Sequence, residues 1–105
     1  MSAGYRLSQT AEAELEEILL FVAEQSGVDR ALDVHERFVD AFEHLAEMPN
    51  SGSKRIDITG ERVRWWRVFD WLVLYEWDSV PVTILRVVHG ARDLDRILNP
   101  YPATH

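Results

Sequence analysis

Arg86, His89 and Arg92 close the last apolar run of the chain, and Arg64 and Arg67 fall within an earlier run of similar character. Such a group has the parts for RNA cleavage. Attack by the 2′-hydroxyl needs a general base, an acid for the departing 5′-oxygen and cations for the charge on the phosphorane. The demand is stringent, and a plainer role competes: His89 ends a strand and bonds to backbone, while Arg92 and Asp93 pair at the start of a closing helix. For an isolated His-x-x-Arg the plainer role is preferred. His35 and His44 are nine residues apart on one helix. At about 100° per residue they lie on opposite faces and share no metal ion. Glu12, Glu14, Glu16 and Glu17 read as the solvated face of a helix start, favoured there by the helix dipole, and not as a catalytic cluster. No Gly-rich phosphate loop, nucleophile elbow or His-Glu metal motif occurs. The absence of Cys removes disulfide scaffolds, thiolate zinc sites and cysteine nucleophiles together.

The elements that must position these residues fit in one domain. The chain has 105 residues, too few for two independent cores. We read it as a single domain over residues 1–105, with tails at 1–4 and 99–105. A hydrophobic content of 47%, with four Trp and four Phe, excludes wholesale disorder. No apolar run reaches the roughly 18 residues of a membrane span, and the first residues lack a signal peptide's charged and apolar regions. The expectation is a soluble, cytoplasmic protein with no membrane contact. The net charge of −7 argues against nucleic-acid binding through a general positive field. It is unevenly spread: residues 1–50 hold eleven acids against three arginines, and residues 51–105 hold seven acids against eight cations. Ten of the eleven cations are Arg, the side chain suited to bidentate capture of carboxylate or phosphate.

Tyr5-Arg6-Leu7 alternates as a strand does, and Ser8 is a good helix N-cap. From Ala11 the apolar residues Leu15, Ile18, Leu19 and Val22 recur at helical spacing, giving an amphipathic helix that ends near Ser26-Gly27. Asp29 is expected to cap a second helix with Val34, Phe38, Ala41, Phe42 and Leu45 on one face, stopped at Met48-Pro49-Asn50-Ser51-Gly52. About three linking residues make the pair an antiparallel hairpin. Lys54 to Gly60 reads as polar loop. Val63–Phe69, Trp71–Trp77 and Val82–Val88 read as strands, joined by turns at Asp70 and Asp78-Ser79-Val80-Pro81. Residues 90–98 fit a short closing helix. The predicted architecture is α+β, in the order β-α-α-β-β-β: an N-terminal strand and a helical hairpin packed on a twisted antiparallel sheet. Trp71, Val73, Tyr75 and Trp77 point to one face of their strand and Leu72 and Leu74 to the other, so that strand is central. On the face away from the helices, either an apolar groove lined by aromatics and Arg stays open, or the C-terminal segment folds back and seals it.

Four blocks carry a resemblance: Tyr5-Arg6-Leu7-Ser8, Ala11-Glu12-Ala13-Glu14-Leu15-Glu16-Glu17-Ile18, Leu45-Ala46-Glu47-Met48-Pro49-x-x-Gly52 and Ile84-Leu85-Arg86-Val87-Val88-His89-Gly90-Ala91-Arg92-Asp93. At these spacings the chain resembles, over residues 5–98, the ParE branch of the RelE/ParE toxin superfamily, known for plasmid stabilisation. The resemblance implies a bacterial type II toxin that binds and poisons DNA gyrase. It also implies a cognate antitoxin, ParD-like with a ribbon-helix-helix or similar fold, that silences the toxin in a hetero-oligomer. No cofactor, metal, membrane or direct nucleic-acid contact is implied.

The alternative within the superfamily is a RelE-like ribosome-dependent mRNA endonuclease, which here would use His89 and Arg92 with Arg64 and Arg67. RelE-like nucleases carry a lysine-rich second strand, whereas Val63-Arg64-Trp65-Trp66-Arg67 has no Lys. Leu72 stands where they have an Arg, and Ile97-Leu98 where they have a Tyr or His. The expectation is therefore no catalytic residue. The antitoxin should be amphipathic and acidic, laying apolar anchors in the groove and carboxylates against Arg64, Arg67, Arg86 and Arg92, with Trp65 or Trp66 as aromatic anchors.

Overall fold

Ser8 starts the first helix as its residue type demands. In the computed structural model, which describes residues 4–54 and 62–90, its Oγ accepts from Ala11 N–H at 3.0 Å and donates to the Leu85 carbonyl at 2.8 Å. One side chain thus both caps α1 (Gln9–Ser26) and ties it to the last strand. Gly27, at φ 95°, ends α1 and begins α2 (Val28–Glu47) with no further linker. That corrects the expected three-residue link capped by Asp29. Asp29 lies inside the first turn of α2, because a positive φ, cheap only for glycine, reverses the chain in one residue. α2 buries Ala31, Val34, Phe38, Ala41, Phe42 and Leu45, as the periodicity requires.

The sheet comprises β1 (Tyr5–Leu7), β2 (Ser53–Lys54), β3 (Val63–Val68), β4 (Trp71–Glu76) and β5 (Val82–His89), in the order β1-β5-β4-β3-β2. β1 pairs parallel to β5, and every other pairing is antiparallel. Lys54 belongs to a strand and not to a loop. Phe69 leaves the ladder that was expected to contain it, and Trp77 lies just past β4. The N-terminal edge is held further by Gly4, whose carbonyl accepts from Val82 N–H at 3.0 Å. The expected closing helix lies beyond the described residues, except for Gly90. Among the described residues no helix is long and apolar enough to cross a membrane.

β4 is buried on both sides, as a central strand must be. Val73 and Tyr75 join Val68, Val82, Ile84 and Val87 beneath the helices, where they meet Ala11, Leu15, Phe38, Phe42 and Leu45. Leu72 and Leu74 form a second cluster with Trp65 and Val88 on the other face. All four are buried there, so these positions offer no open apolar groove; the C-terminal segment expected as the alternative cover lies outside the described residues. A bulge sets the phase. Leu74 pairs with Arg86 but Tyr75 with Ile84, leaving Leu85 as an extra residue in β5. That residue shifts the alternation so that Val87, three positions after Ile84, also faces the helices.

Tyr75 locks the corner where α2 hands over to the sheet. Its fully buried hydroxyl donates to the Pro49 carbonyl at 2.7 Å and accepts from Gly52 N–H at 2.9 Å. A Cβ on Gly52 would lie 2.4 Å from that hydroxyl and 2.7 Å from the Trp65 carbonyl, so only glycine fits. Burial raises the Tyr75 pKa above its ordinary value, against the opposing pull of the Gly52 N–H and the Arg64 charge.

Two outcomes follow from this corner. Gly52→Ala should lower the free energy of unfolding by about 2 kcal/mol, read from the urea midpoint. Tyr75 ionises later folded than unfolded, so its contribution is complete below the unfolded value of 10.0 and is lost as pH rises through the higher folded value. Stability of the wild type should therefore fall above that pH, and Tyr75→Phe, though less stable at neutral pH by about 1–3 kcal/mol, should fall less steeply there.

Candidate functional site

The arginines singled out from sequence are fixed by different parts of the frame. Arg86 reaches the Glu14 carboxylate of α1 by a bidentate pair, with Nη2 at 2.7 Å from Oε2 and Nε at 3.0 Å. The same carboxylate accepts from Val87 N–H at 2.9 Å. Glu14 was expected on a solvated face, but it is half-buried and completes the edge of β5. The sequence contains the signal: Glu14 lies three residues after Ala11 and four before Ile18, beside the buried stripe of α1.

Arg64 serves the Tyr75 corner. Its Nη1 donates to the carbonyls of Gly52 at 2.8 Å and Asn50 at 3.2 Å, and its guanidinium carbon stands 4.9 Å from the centroid of Trp77. Its Nε is buried with no hydrogen-bond partner. Lys54 approaches the same Trp77 ring at 5.6 Å. Trp66 faces the helices, with its ring 5.0 Å from His44, which in turn meets the Ser51 hydroxyl at 3.1 Å. Trp65, one residue earlier, is buried on the opposite face. Arg67 alternates onto that opposite side and is exposed, with Nη1 donating to the Phe69 carbonyl at 3.4 Å. His89 ends β5 and lines a cavity of about 370 Å³ with Glu14, Glu17, Ile18, Phe21, Trp71 and Val87. Arg92 lies outside the described residues.

These positions do not converge on one phosphate. Arg64 pairs with Tyr75, and Tyr75 with Ile84, five residues before His89 on β5. That is roughly 16 Å along the strand direction. Arg67 is near the level of His89 but points from the other face. The same parity divides the expected partner-binding residues, since Arg64 and Trp66 look toward the helices and Trp65 and Arg67 away from them. Among the described residues no group of three His, Asp or Glu side chains is placed to hold a metal. A cluster not singled out from sequence joins Arg30 and Arg37 of α2 to the ring of Phe69. The seven-residue spacing of the two arginines marks one helix face, but the turn that brings Phe69 to them is a tertiary contact that periodicity does not contain.

Comparison with known proteins bears on this arrangement. A family model described as the ParE toxin of the type II toxin–antitoxin system, parDE, matches residues 5–94. Among solved structures, a chain of the chromosomal ParDE TA system from P. aeruginosa superposes with a TM-score of 0.68 at 20% identity, over 81% of this chain and 92% of that one. At that identity the likeness is one of fold. No curated protein matches the sequence.

Removal of the carboxylate that closes β5 should be costly. Glu14→Ala removes the acceptor of the Val87 N–H and the carboxylate that Arg86 pairs with, and should reduce unfolding free energy by about 1–3 kcal/mol in urea denaturation. Glu14→Gln, which keeps an acceptor for Val87, should lose less; equal losses would show that the peptide N–H contributes nothing.

Proposed function

Since this chain belongs to the ParE toxin family of type II toxin–antitoxin systems, we propose that it acts by being bound: it holds DNA gyrase in its DNA-cleaved state and is silenced by a cognate antitoxin. The family match over residues 5–94 carries the reading. The placement of the cations supports it. A ribonuclease would need base, acid and charge-stabilising groups around one phosphate. Here Arg64 is committed to two carbonyls, Arg86 to a carboxylate, and His89 lies at the far end of its strand from Arg64. In this reading the chemistry belongs to gyrase, and the toxin supplies only a rigid surface.

The antitoxin is taken to be ParD-like, with a ribbon-helix-helix or similar fold, forming a hetero-oligomer with the toxin in the bacterial cytoplasm. Of the residues expected to meet it, Arg67 and Arg86 keep exposed guanidiniums, whereas Trp65 is buried. Direct nucleic-acid binding has no place in this scheme, because a net charge of −7 opposes approach to a phosphate backbone.

The test uses purified chain, gyrase and relaxed plasmid. We expect loss of supercoiling with accumulation of cleaved DNA, both reversed by the product of the adjoining antitoxin frame. Untouched supercoiling with no rise in cleaved DNA would overturn the gyrase assignment. Transcripts cut at codon-aligned positions after induction, with the cuts abolished in His89→Ala, would replace it with the nuclease.

A further inference from the structure

The turn between β3 and β4 holds a residue that its backbone does not favour. Val68 pairs with Trp71, leaving Phe69 and Asp70 as a two-residue link, and Phe69 stands at φ 53°. Glycine or asparagine adopts that region readily, whereas a bulky side chain rarely does. Strain of this kind persists where the surroundings hold it, and it collects at sites of recognition. The Phe69 ring remains 38% exposed.

Around that ring stand the two arginines of α2, which has no lysine. The guanidinium carbons of Arg30 and Arg37 lie 5.3 and 5.1 Å from its centroid. Trp71 meets the ring edge-on at 6.4 Å, and Arg67 bonds the Phe69 carbonyl. Among the described residues neither Arg30 nor Arg37 takes part in an ion pair or a hydrogen bond, so their N–H forks are open to a ligand. Both residues are exposed and share one helix face, and the aromatic beneath them fixes their direction. Asp29, Asp33, Glu36 and Asp40 stand exposed on the same helix. That fringe repels a continuous polyanion such as a nucleic-acid backbone more strongly than a segment carrying one or two discrete carboxylates.

We propose that Arg30 and Arg37, set over the ring of Phe69, form a docking surface for an acidic segment of the antitoxin, which lays carboxylates across the guanidiniums and an apolar side chain on the ring. The proposal rests on the toxin reading above. It places an electrostatic anchor at the β3–β4 turn, away from the β5 edge where Arg86 is already held by Glu14.

The test measures binding of the cognate antitoxin to the 105-residue chain at low and at physiological salt, together with urea midpoints. Arg30→Ala/Arg37→Ala should weaken binding by roughly tenfold or more and flatten its salt dependence, with little change in the midpoint. Phe69→Gly relieves the backbone and should keep or raise the midpoint while binding still falls. Wild-type affinity in both variants overturns the proposal, as does a loss of affinity matched by a loss of stability, which would make the cluster a staple for the turn. Variants that bind antitoxin normally yet fail to trap cleaved DNA assign the surface to the target instead and overturn it. Variants that lose only an affinity of the wild type for duplex DNA do the same in favour of nucleic acid. A wild-type chain that binds no antitoxin overturns the toxin reading along with this one, whereas retained binding in the variants overturns this one alone.

Discussion

The Glu14 carboxylate is the contact on which the arrangement turns, because it lets a helix finish a sheet that a strand leaves incomplete. β1 has three residues and β5 eight, so among the described strands none pairs with the outer edge of β5 beyond Ile84. Unpaired edge groups are costly when buried and invite mispairing when exposed. α1 meets both needs at one stroke: Ser8 takes the Leu85 carbonyl and Glu14 the Val87 N–H and the Arg86 guanidinium. These bonds also fix how α1 sits along the sheet, and α2 follows through a link of one glycine. With side-chain exposures of 44% and 20%, the Arg86–Glu14 pair alone would add little. Its weight comes from the peptide N–H that shares the carboxylate.

Strand parity then decides what the chain can do with its cations. A strand sends successive side chains to opposite faces, so Arg64 and Arg67, three apart, cannot point together, and neither can Trp65 and Trp66. The extra residue at Leu85 resets the phase of β5 and turns Val87 inward beside Ile84. A catalytic cluster drawn from β3 and β5 would need side chains on one face at one level; Arg64 shares a face with His89 but not its level, and Arg67 its level but not its face. Binding asks for less, because a partner can be met by separate points on a rigid surface.

Much of the fold was legible in the residues, and the reasons are specific. Ser8, the apolar spacing from Ala11 to Val22 and the stop at Met48-Pro49 are local signals, and the helices obey them. The density of Val, Trp and Ile from Val63 onward marks three strands, and the two-sided apolar character of Trp71–Glu76 marks the central one. What was not legible depends on contacts between distant segments. Gly27 looks like an ordinary helix terminator until its positive φ proves able to start the next helix too. The parallel seat of β1, the bulge at Leu85 and the two residues of β2 are tertiary facts without periodicity. The candidate site suffered most: a list of arginines does not say which have been claimed from within, and Glu14 was hidden among neighbouring glutamates that do face water.

Counting what each described guanidinium touches separates frame from surface. Arg86 is neutralised by Glu14, and Arg62 stands 3.6 Å from the Asp78 carboxylate. Arg64 spends its Nη1 on two carbonyls and its flat face on Trp77, and Arg6 bonds the Thr83 hydroxyl across the first strand pair. Arg30 and Arg37 differ in kind. Their contact is with a neutral ring, which orients a guanidinium without cancelling its charge or occupying its donors. In a chain whose net charge is −7, cations held in place with their donors unoccupied are the ones able to take the carboxylates of an acidic partner at close range. Arg6, Arg64 and Arg86 bond groups of the frame itself. A protein that works by being bound needs both kinds, and the strained turn at Phe69 is where the frame delivers the second.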